Sequence, residues 1–476
     1  MLFNSIEFLL FLPTIFILYW FVFNKNLKYQ NTLILVSSYV FYGWWDYRFL
    51  SLIFLSTIVD YVIGLSISNQ SSKKKQKSLL WGSVLFNLSV LGFFKYYNFF
   101  VDSWVELFSS LGYEIKSIWT LNFILPVGIS FYTFQTMSYT IDIYRKKLEP
   151  TKDFISFASF VSFFPQLVAG PIERASNLLP QILKKREFQY DQVIQGLKLI
   201  LWGMFKKVVI ADSLAPIVDD IFSNYQDFGG GTLWLGAIYF SFQIYCDFSG
   251  YSDIAIGTSK LLGFELMSNF KFPYFSRNIG EFWRRWHISL STWFRDYLYI
   301  PLGGSQEGKW KSIRNIFIIF LVSGFWHGAN WSFIFWGLFH SILFLPTFMF
   351  NKNRNYTSSI IAANTLLPSL KEFINVITTF LLVTIGWVFF RSESIGDSFS
   401  YLTSMISNIN IVTHLSPKIS FYILVLVLVD WTQRFDERNL FVTFPKLIFK
   451  IFVIICVFLI LINFKKESQQ FIYFDF

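Results

Sequence analysis

Long apolar stretches separated by short polar loops recur from one end of this 476-residue chain to the other. Those at 6–23, 31–45, 49–67, 79–99, 121–143, 154–169 and 193–211 predict membrane spans, because about 20 apolar helical residues cross the hydrocarbon layer. The series continues at 232–248, 251–264, 313–331, 332–350, 373–390, 419–430 and 447–462. Several of these are too short to cross alone and read as re-entrant or interfacial helices. The pattern predicts an all-α polytopic bundle, with residues 1–476 forming a single multi-pass membrane domain.

Composition strengthens that reading: 54% of residues are hydrophobic, 21% aromatic and only 15% charged, where soluble domains carry roughly a quarter charged. The formal charge of +10 does not point to nucleic acid, since the basic residues sit in short loops between apolar spans. There they face anionic lipid and obey the positive-inside rule. Lys25 and Lys28, then Lys73, Lys74, Lys75 and Lys77, then Arg145, Lys146, Lys147 and Lys152 fall on one side, which is therefore cytoplasmic. The run 73–77 reads as a solvated turn. Loops 101–120 and 211–231 are acidic, carrying Asp102, Glu106, Glu114, Asp212, Asp219, Asp220 and Asp227. They and the N-terminus are expected outside, and the basic loop 271–314 inside. Stretch 6–23 has no basic residue ahead of it and reads as a first span rather than a signal peptide. Cys246 and Cys456 lie in apolar runs and read as packing residues, with no disulfide or metal site implied.

Only four histidines occur, and two stand in dense Trp and Arg clusters. On one helix Arg284, His287, Ser291 and Arg295 fall at i, i+3, i+7 and i+11, a single narrow stripe, with Trp286 and Trp293 opposite. Such a helix suits the membrane interface, its cationic face turned to an anionic ligand or to phospholipid headgroups; spacing leaves both open. Glu281 and Arg285 can pair at i, i+4. Pro301, Gly303 and Gly304 end the segment in a tight reversal.

His327 lies inside an apolar run, between Gly324 and Gly328, whose small faces invite a close-packed neighbour. On a continuous helix Ser323 and Asn330 or Trp331 would flank it one turn away. Such a buried imidazole is neutral and able to accept a proton, or simply hydrogen-bonds a neighbouring helix. His340 would face nearly the opposite way and His414 lies in a loop, so neither is a candidate. Asp60, Asp247 and Asp253 could serve transport, but pairing with Lys or Arg on neighbouring helices is the plainer reading. A transporter or flippase is the alternative from another class, although no inverted internal repeat is visible.

Four motifs carry a resemblance: Pro165-Gln-Leu-Val-Ala-Gly-Pro171; Cys246-Asp-Phe-Ser-Gly-Tyr-Ser-Asp253; Glu281-Phe-Trp-Arg-Arg-Trp-His287, continuing through Phe294-Arg-Asp-Tyr-Leu-Tyr-Ile-Pro-Leu-Gly-Gly304; and Phe325-Trp-His-Gly-Ala-Asn-Trp331. Trp387-Val-Phe-Phe-Arg391 and the terminal Phe471-Ile-Tyr-Phe-Asp-Phe476 extend it over essentially the whole chain. In these the chain resembles the membrane-bound O-acyltransferases, and among them the bacterial alginate O-acetyltransferase branch. The resemblance implies a helix bundle around a central funnel, with His327 the essential catalytic residue and His287 at the second family position. Arg284, Trp286, Ser291, Arg295, Asp296, Trp326 and Asn330 then become the residues expected to hold substrate. It also implies acetyl-CoA or another acyl thioester as cytosolic donor, no bound cofactor, and transfer toward a cell-surface polysaccharide such as alginate. An exported partner, an acetyltransferase of the SGNH-hydrolase type, would complete the ester, in a bacterial inner membrane. D-alanyl or other acyl transfer to teichoic acid, lipid or peptidoglycan is the alternative acceptor chemistry. His287 and His327 read as two stations along one route from cytosol to exterior.

Overall fold

The computed structural model describes residues 1–113, 121, 125–168, 170–357, 359–407, 413–441, 444–464 and 471–472. Among them every regular element is helical. Five helical stretches are long and apolar enough to cross a membrane, at Leu27–Asn69, Lys73–Ser110, Trp331–Met349, Leu370–Arg391 and Lys446–Asn463. The chain clusters into two compact units.

The first unit comprises Met1–Gln192 and Thr258–Leu266, and its frame is α1 (Leu27–Asp46), α2 (Leu50–Asn69), α3 (Lys73–Leu91) and α4 (Ile129–Tyr144). The start of expected span 121–143, at 122–124, and residues 114–120 of loop 101–120 lie outside the described residues. Nearly every residue of α4 is buried although half of them are polar. In an apolar solvent that polarity acts as interhelical glue. Asp60 of α2 accepts from Ser83 at 2.5 Å and Asn87 at 2.8 Å on α3, and Ser83 also meets Thr140 of α4 at 2.9 Å. The partners of this carboxylate are thus a hydroxyl and an amide, not the Lys or Arg expected. A Cβ on Gly64 would stand 2.6 Å from the Tyr139 ring, so α2 and α4 approach where a side chain would not fit. The lysine run forms the exposed first turn of α3 rather than a turn between helices.

The second unit comprises Val193–Gly257 and Met267–Phe476. It contains α5 (Tyr190–Met204, from residue 193 on), continued by a π-helix at Phe205–Ala211, and α6 (Gly230–Leu261), whose last turn belongs to the first unit. The hydropathy pattern divides α6 into two spans at Ser249 and Gly250, but it runs unbroken for 32 residues. The reason is packing: a Cβ on Gly250 would meet Gly203 O at 2.8 Å, and one on Gly257 would meet Gly196 O at 2.5 Å. These glycines let α5 and α6 touch backbone to backbone, so they are seam residues and not breaks. The π-helix points two buried lysines at α6. Lys206 pairs with Asp253 at 2.6 Å, and Lys207 with Asp247 at 2.6 Å and Asp212 at 2.7 Å. Asp247 and Asp253 of α6 are thus paired with lysines, as expected.

Candidate active site

The second unit also holds α7 (Ile279–Arg285), α8 (Ile288–Phe294), α9 (Lys309–His327), α10 (Trp331–Met349), α11 (Leu370–Arg391) and α12 (Pro417–Thr432). The close neighbour that Gly324 and Gly328 call for is α10, the next helix in the chain. A Cβ on Gly324 would lie 2.2 Å from Phe333 O, and one on Gly337 would lie 2.2 Å from Phe320 O. No larger residue fits at that crossing without parting the helices.

The helix does not continue past His327, contrary to the spacing argument. Gly328 is extended, and Asn330 caps α10 by accepting from Ser332 N at 2.9 Å while its amide donates to Glu393 O at 3.0 Å. Asn330 therefore serves the cap and does not sit one turn above His327; Trp331 is half exposed. His327 is 3% exposed. Its ring lies between Trp326 at 5.0 Å, Trp336 at 5.2 Å and Phe390 at 5.4 Å, centroid to centroid.

The single helix expected for Arg284 to Arg295 is also broken. The chain turns at His287, a non-glycine residue held at φ 43°, ψ 54° between α7 and α8. This left-handed conformation is uncommon and persists only where surrounding contacts enforce it. Here Asn269 supplies two: Ile288 N donates to Asn269 O at 2.9 Å, and Ser289 Oγ to Asn269 Oδ1 at 2.6 Å. Lys271 N also donates to Arg285 O at 3.0 Å. The turn throws the imidazole inward, 1% exposed and 4.7 Å from the Phe248 ring of α6. It lies 5.7 Å from Trp326 and 6.2 Å from His327. The two histidines stand side by side, not at separate stations. Burial pushes the His287 imidazole down to about 3, so it is neutral at any physiological pH.

With the stripe dissolved, its members take separate places. Arg284 donates to the carbonyls of Asn353 and Asn355. Trp286 is buried against Trp387 at 4.9 Å and Phe270 at 5.0 Å. Arg285 pairs with Glu281 at 2.7 Å as expected, and Glu281 also binds Arg277 at 3.0 Å. Ser291 and Arg295 line a cavity of about 720 Å³, together with Lys309, Ser323 and Arg354. Lys309 and Ser323 lie at opposite ends of α9, roughly 20 Å apart at 1.5 Å per residue. All three cations are exposed, whereas Ser323, one turn before His327, is buried, so the cavity runs from an exposed cationic side to a buried side next to His327. Asp296 holds Arg295 through a 2.7 Å contact and does not line the cavity.

His340, set aside on the sequence, is fully buried in the same aromatic wall. Its ring lies 5.0 Å from Trp283 and 5.0 Å from Trp336, the indole that also touches His327. Neither ring nitrogen of His340 has a hydrogen-bond partner among the described residues. The i, i+4 spacing of Trp336 and His340 on α10 was a visible signal; the contributions of Phe248 from α6 and Phe390 from α11 were not. Phe471 packs on Phe248 at 5.9 Å, and Ile472 N donates to Asp247 Oδ2 at 2.7 Å, which ties the C-terminal motif to the far side of the His287 support. Among the described residues no group of three His, Cys, Asp or Glu side chains stands close enough to hold a metal ion.

Residues 146–362 match the profile of the membrane-bound O-acyltransferase family. The chain is 43% identical to the protein named "probable alginate O-acetylase AlgI" of Pseudomonas aeruginosa, over 86% of this chain and 75% of the relative. It is 33% identical to a peptidoglycan O-acetyltransferase of Helicobacter pylori over 99% of this chain and 90% of the relative. It is 34% identical to a teichoic acid D-alanyltransferase of Streptococcus thermophilus over 47% of this chain and 56% of the relative. An all-helical multi-pass membrane protein with a buried histidine pair beside a cation-mouthed cavity is thereby placed: the chain belongs to the membrane-bound O-acyltransferase family. It is an O-acyltransferase.

Proposed function

We propose that this chain takes an acyl group, acetyl in the main reading, from acetyl-CoA or another cytosolic thioester and passes it across the membrane toward a cell-surface polysaccharide such as alginate. The reading places it in a bacterial inner membrane with the N-terminus outside. The observation that carries it is the cavity along α9, lined by the exposed cations Arg295, Lys309 and Arg354 and by buried Ser323, one turn before His327 of the histidine pair. A donor with phosphates on its carrier and a thioester at its tip matches that order of charges. His327 acts as general base: it takes the proton of the attacking hydroxyl as the new C–O bond forms, and returns it to the thiolate as the C–S bond breaks. Neutral His287 donates a hydrogen bond to the thioester carbonyl, where negative charge develops. Arg295, steadied by Asp296, holds the donor's anionic end. Trp326, whose ring lies against both histidines, and Trp286, buried against Trp387 beside His287, hold the pair in place, while Arg284 does not line this cavity. An exported SGNH-type acetyltransferase partner would complete the ester on the polymer.

The test is thioester cleavage by the purified protein. His327→Ala and His287→Ala are each expected to lose about a hundred- to ten-thousand-fold, the usual worth of a positioned acid or base. Wild-type turnover in both variants would sink the assignment.

A second acceptor is favoured by one observation: the relative matched over 99% of this chain is named for peptidoglycan. Mass spectrometry of surface esters with and without the protein separates the two, since the lost ester sits on either the exopolysaccharide or the wall glycan.

A further inference from the structure

Two further hollows of the second unit meet end to end. One, of about 750 Å³, is walled almost entirely by apolar side chains, among them Phe242 of α6, Ile377 and Phe380 of α11, and Leu426 of α12. The other, of about 520 Å³, has five cations in its lining, Lys271, Arg284, Arg285, Arg295 and Arg434, against two carboxylates, Glu281 and Glu437. Phe272 lines both. The Arg434 guanidinium lies 4.5 Å from the ring of Trp431 and donates to Ile361 O at 3.2 Å, and both of those residues wall the apolar hollow. The cationic space therefore begins where the apolar one ends.

The start of α11 and the end of α12 lie at this junction, and Trp431 Nε1 of α12 donates at 3.1 Å to the carbonyl of Leu366, in the loop ahead of α11. Leu370, Ile377 and Leu428, on the outer edge of the apolar hollow, are exposed. A tryptophan among apolar helix ends with arginines just beyond is the arrangement found at a bilayer's headgroup level. Charge balance points the same way. Lys271 pairs with Glu437 at 3.0 Å and Arg285 with Glu281 at 2.7 Å. Among the described residues Arg284 and Arg434 bond only backbone carbonyls: Asn353 and Asn355 for the first; Trp431, Ile361, Ala362 and Thr365 for the second. Glu281 and Glu437 line the same hollow and Glu281 acts on Arg284 through space, but their ion pairs go to Arg277, Arg285 and Lys271. Cations thus outnumber carboxylates in the lining, and neither Arg284 nor Arg434 has an ion pair among the described residues.

We infer that the two hollows form one site for an anionic phospholipid, its acyl chains between α11 and α12 and its phosphate at Arg434 and Arg284. A soluble anion would use only the cationic part and leave the larger, apolar part without purpose. A neutral lipid would leave the two charges unanswered. The cationic hollow shares Trp283, Ser291 and Arg295 with the cavity along α9, so the headgroup lies one wall from the donor and the site is placed to tune the enzyme.

The experiment is native mass spectrometry of the full-length protein, released from nanodiscs containing equal dioleoyl phosphatidylglycerol and dioleoyl phosphatidylcholine. The wild type should retain a single phosphatidylglycerol in preference to phosphatidylcholine. Arg434→Gln should weaken retention about fivefold, the worth of one cation near an anionic headgroup. Ile377→Trp, which fills the apolar part and alters no charge, should reduce retention at least as much while thioester cleavage persists. Because Arg434 also holds four carbonyls, Ile377→Trp decides alone if Arg434→Gln does not fold. Equal retention of the two lipids, or undiminished phosphatidylglycerol in Ile377→Trp, overturns the proposal. So does displacement of phosphatidylglycerol by millimolar inorganic phosphate, which would mark a site for free anions.

Discussion

The imidazoles of His287 and His327 stand 6.2 Å apart between ring centroids, tilted by 54°, with the Trp326 indole touching both. One ring comes from a strained turn and the other from a helix end, so neither position depends on the other's local sequence. In the proposed reaction, groups this close act on one reacting centre. Their substitutions should therefore be non-additive: His287→Ala with His327→Ala should cost no more thioester turnover than the worse single variant. Two independent sites would instead multiply the losses, which steady-state rates of the three variants distinguish.

The backbone at His287 makes a separate demand. At φ 43° asparagine is tolerated well, whereas a β-branched residue is a genuine outlier. His287→Val should lower thermal stability relative to His287→Asn by about 1–3 kcal/mol, the cost of such strain. Equal melting temperatures in detergent would show that the turn relaxes without loss.

Acid should weaken the fold through the same ring. Its folded value is about 3, below the ordinary 6.5 or so of an unfolded histidine. Between those values the unfolded chain binds a proton that the folded chain refuses, so stability rises with pH across that window and is flat above it. Denaturation midpoints at pH 7, 5.5 and 4.5 should fall in that order for the wild type. The slope should be shallower in His287→Phe, which removes the group and keeps a ring; an unchanged slope would assign the acid sensitivity elsewhere.

At the α9 and α10 crossing the obstacle to a side chain is backbone. Gly324→Ala places a Cβ against Phe333 O, and overpacking of this kind costs about 1–3 kcal/mol. It should also reduce thioester turnover, because His327 sits one turn further on. Gly82, on α3, has nothing within 4 Å of its Cβ position; Gly82→Ala should leave both stability and turnover intact or improve stability. Matching behaviour of the two variants would remove the packing argument.

The sequence by itself determined the solvent, the helical class and the chemistry-bearing motifs, because a 30 Å apolar layer leaves few choices of backbone and Trp-His-Gly is local. It also marked Gly324 as a contact residue and Glu281 with Arg285 as a pair, since both follow from helical spacing. It misjudged continuity in both directions. Gly250 looked like a break and is a seam, because its partner Gly203 is remote in sequence. Arg284 to Arg295 looked like one helix and is two, because Asn269 enforces the turn at His287. Whether His287 points at lipid or at His327 is decided by one positive φ, and that angle is set by contacts that periodicity cannot register. The same holds for His340, whose burial depends on Trp283 and Gly386 meeting it from α7 and α11. Local pattern fixed which residues could react, and tertiary packing decided which of them meet.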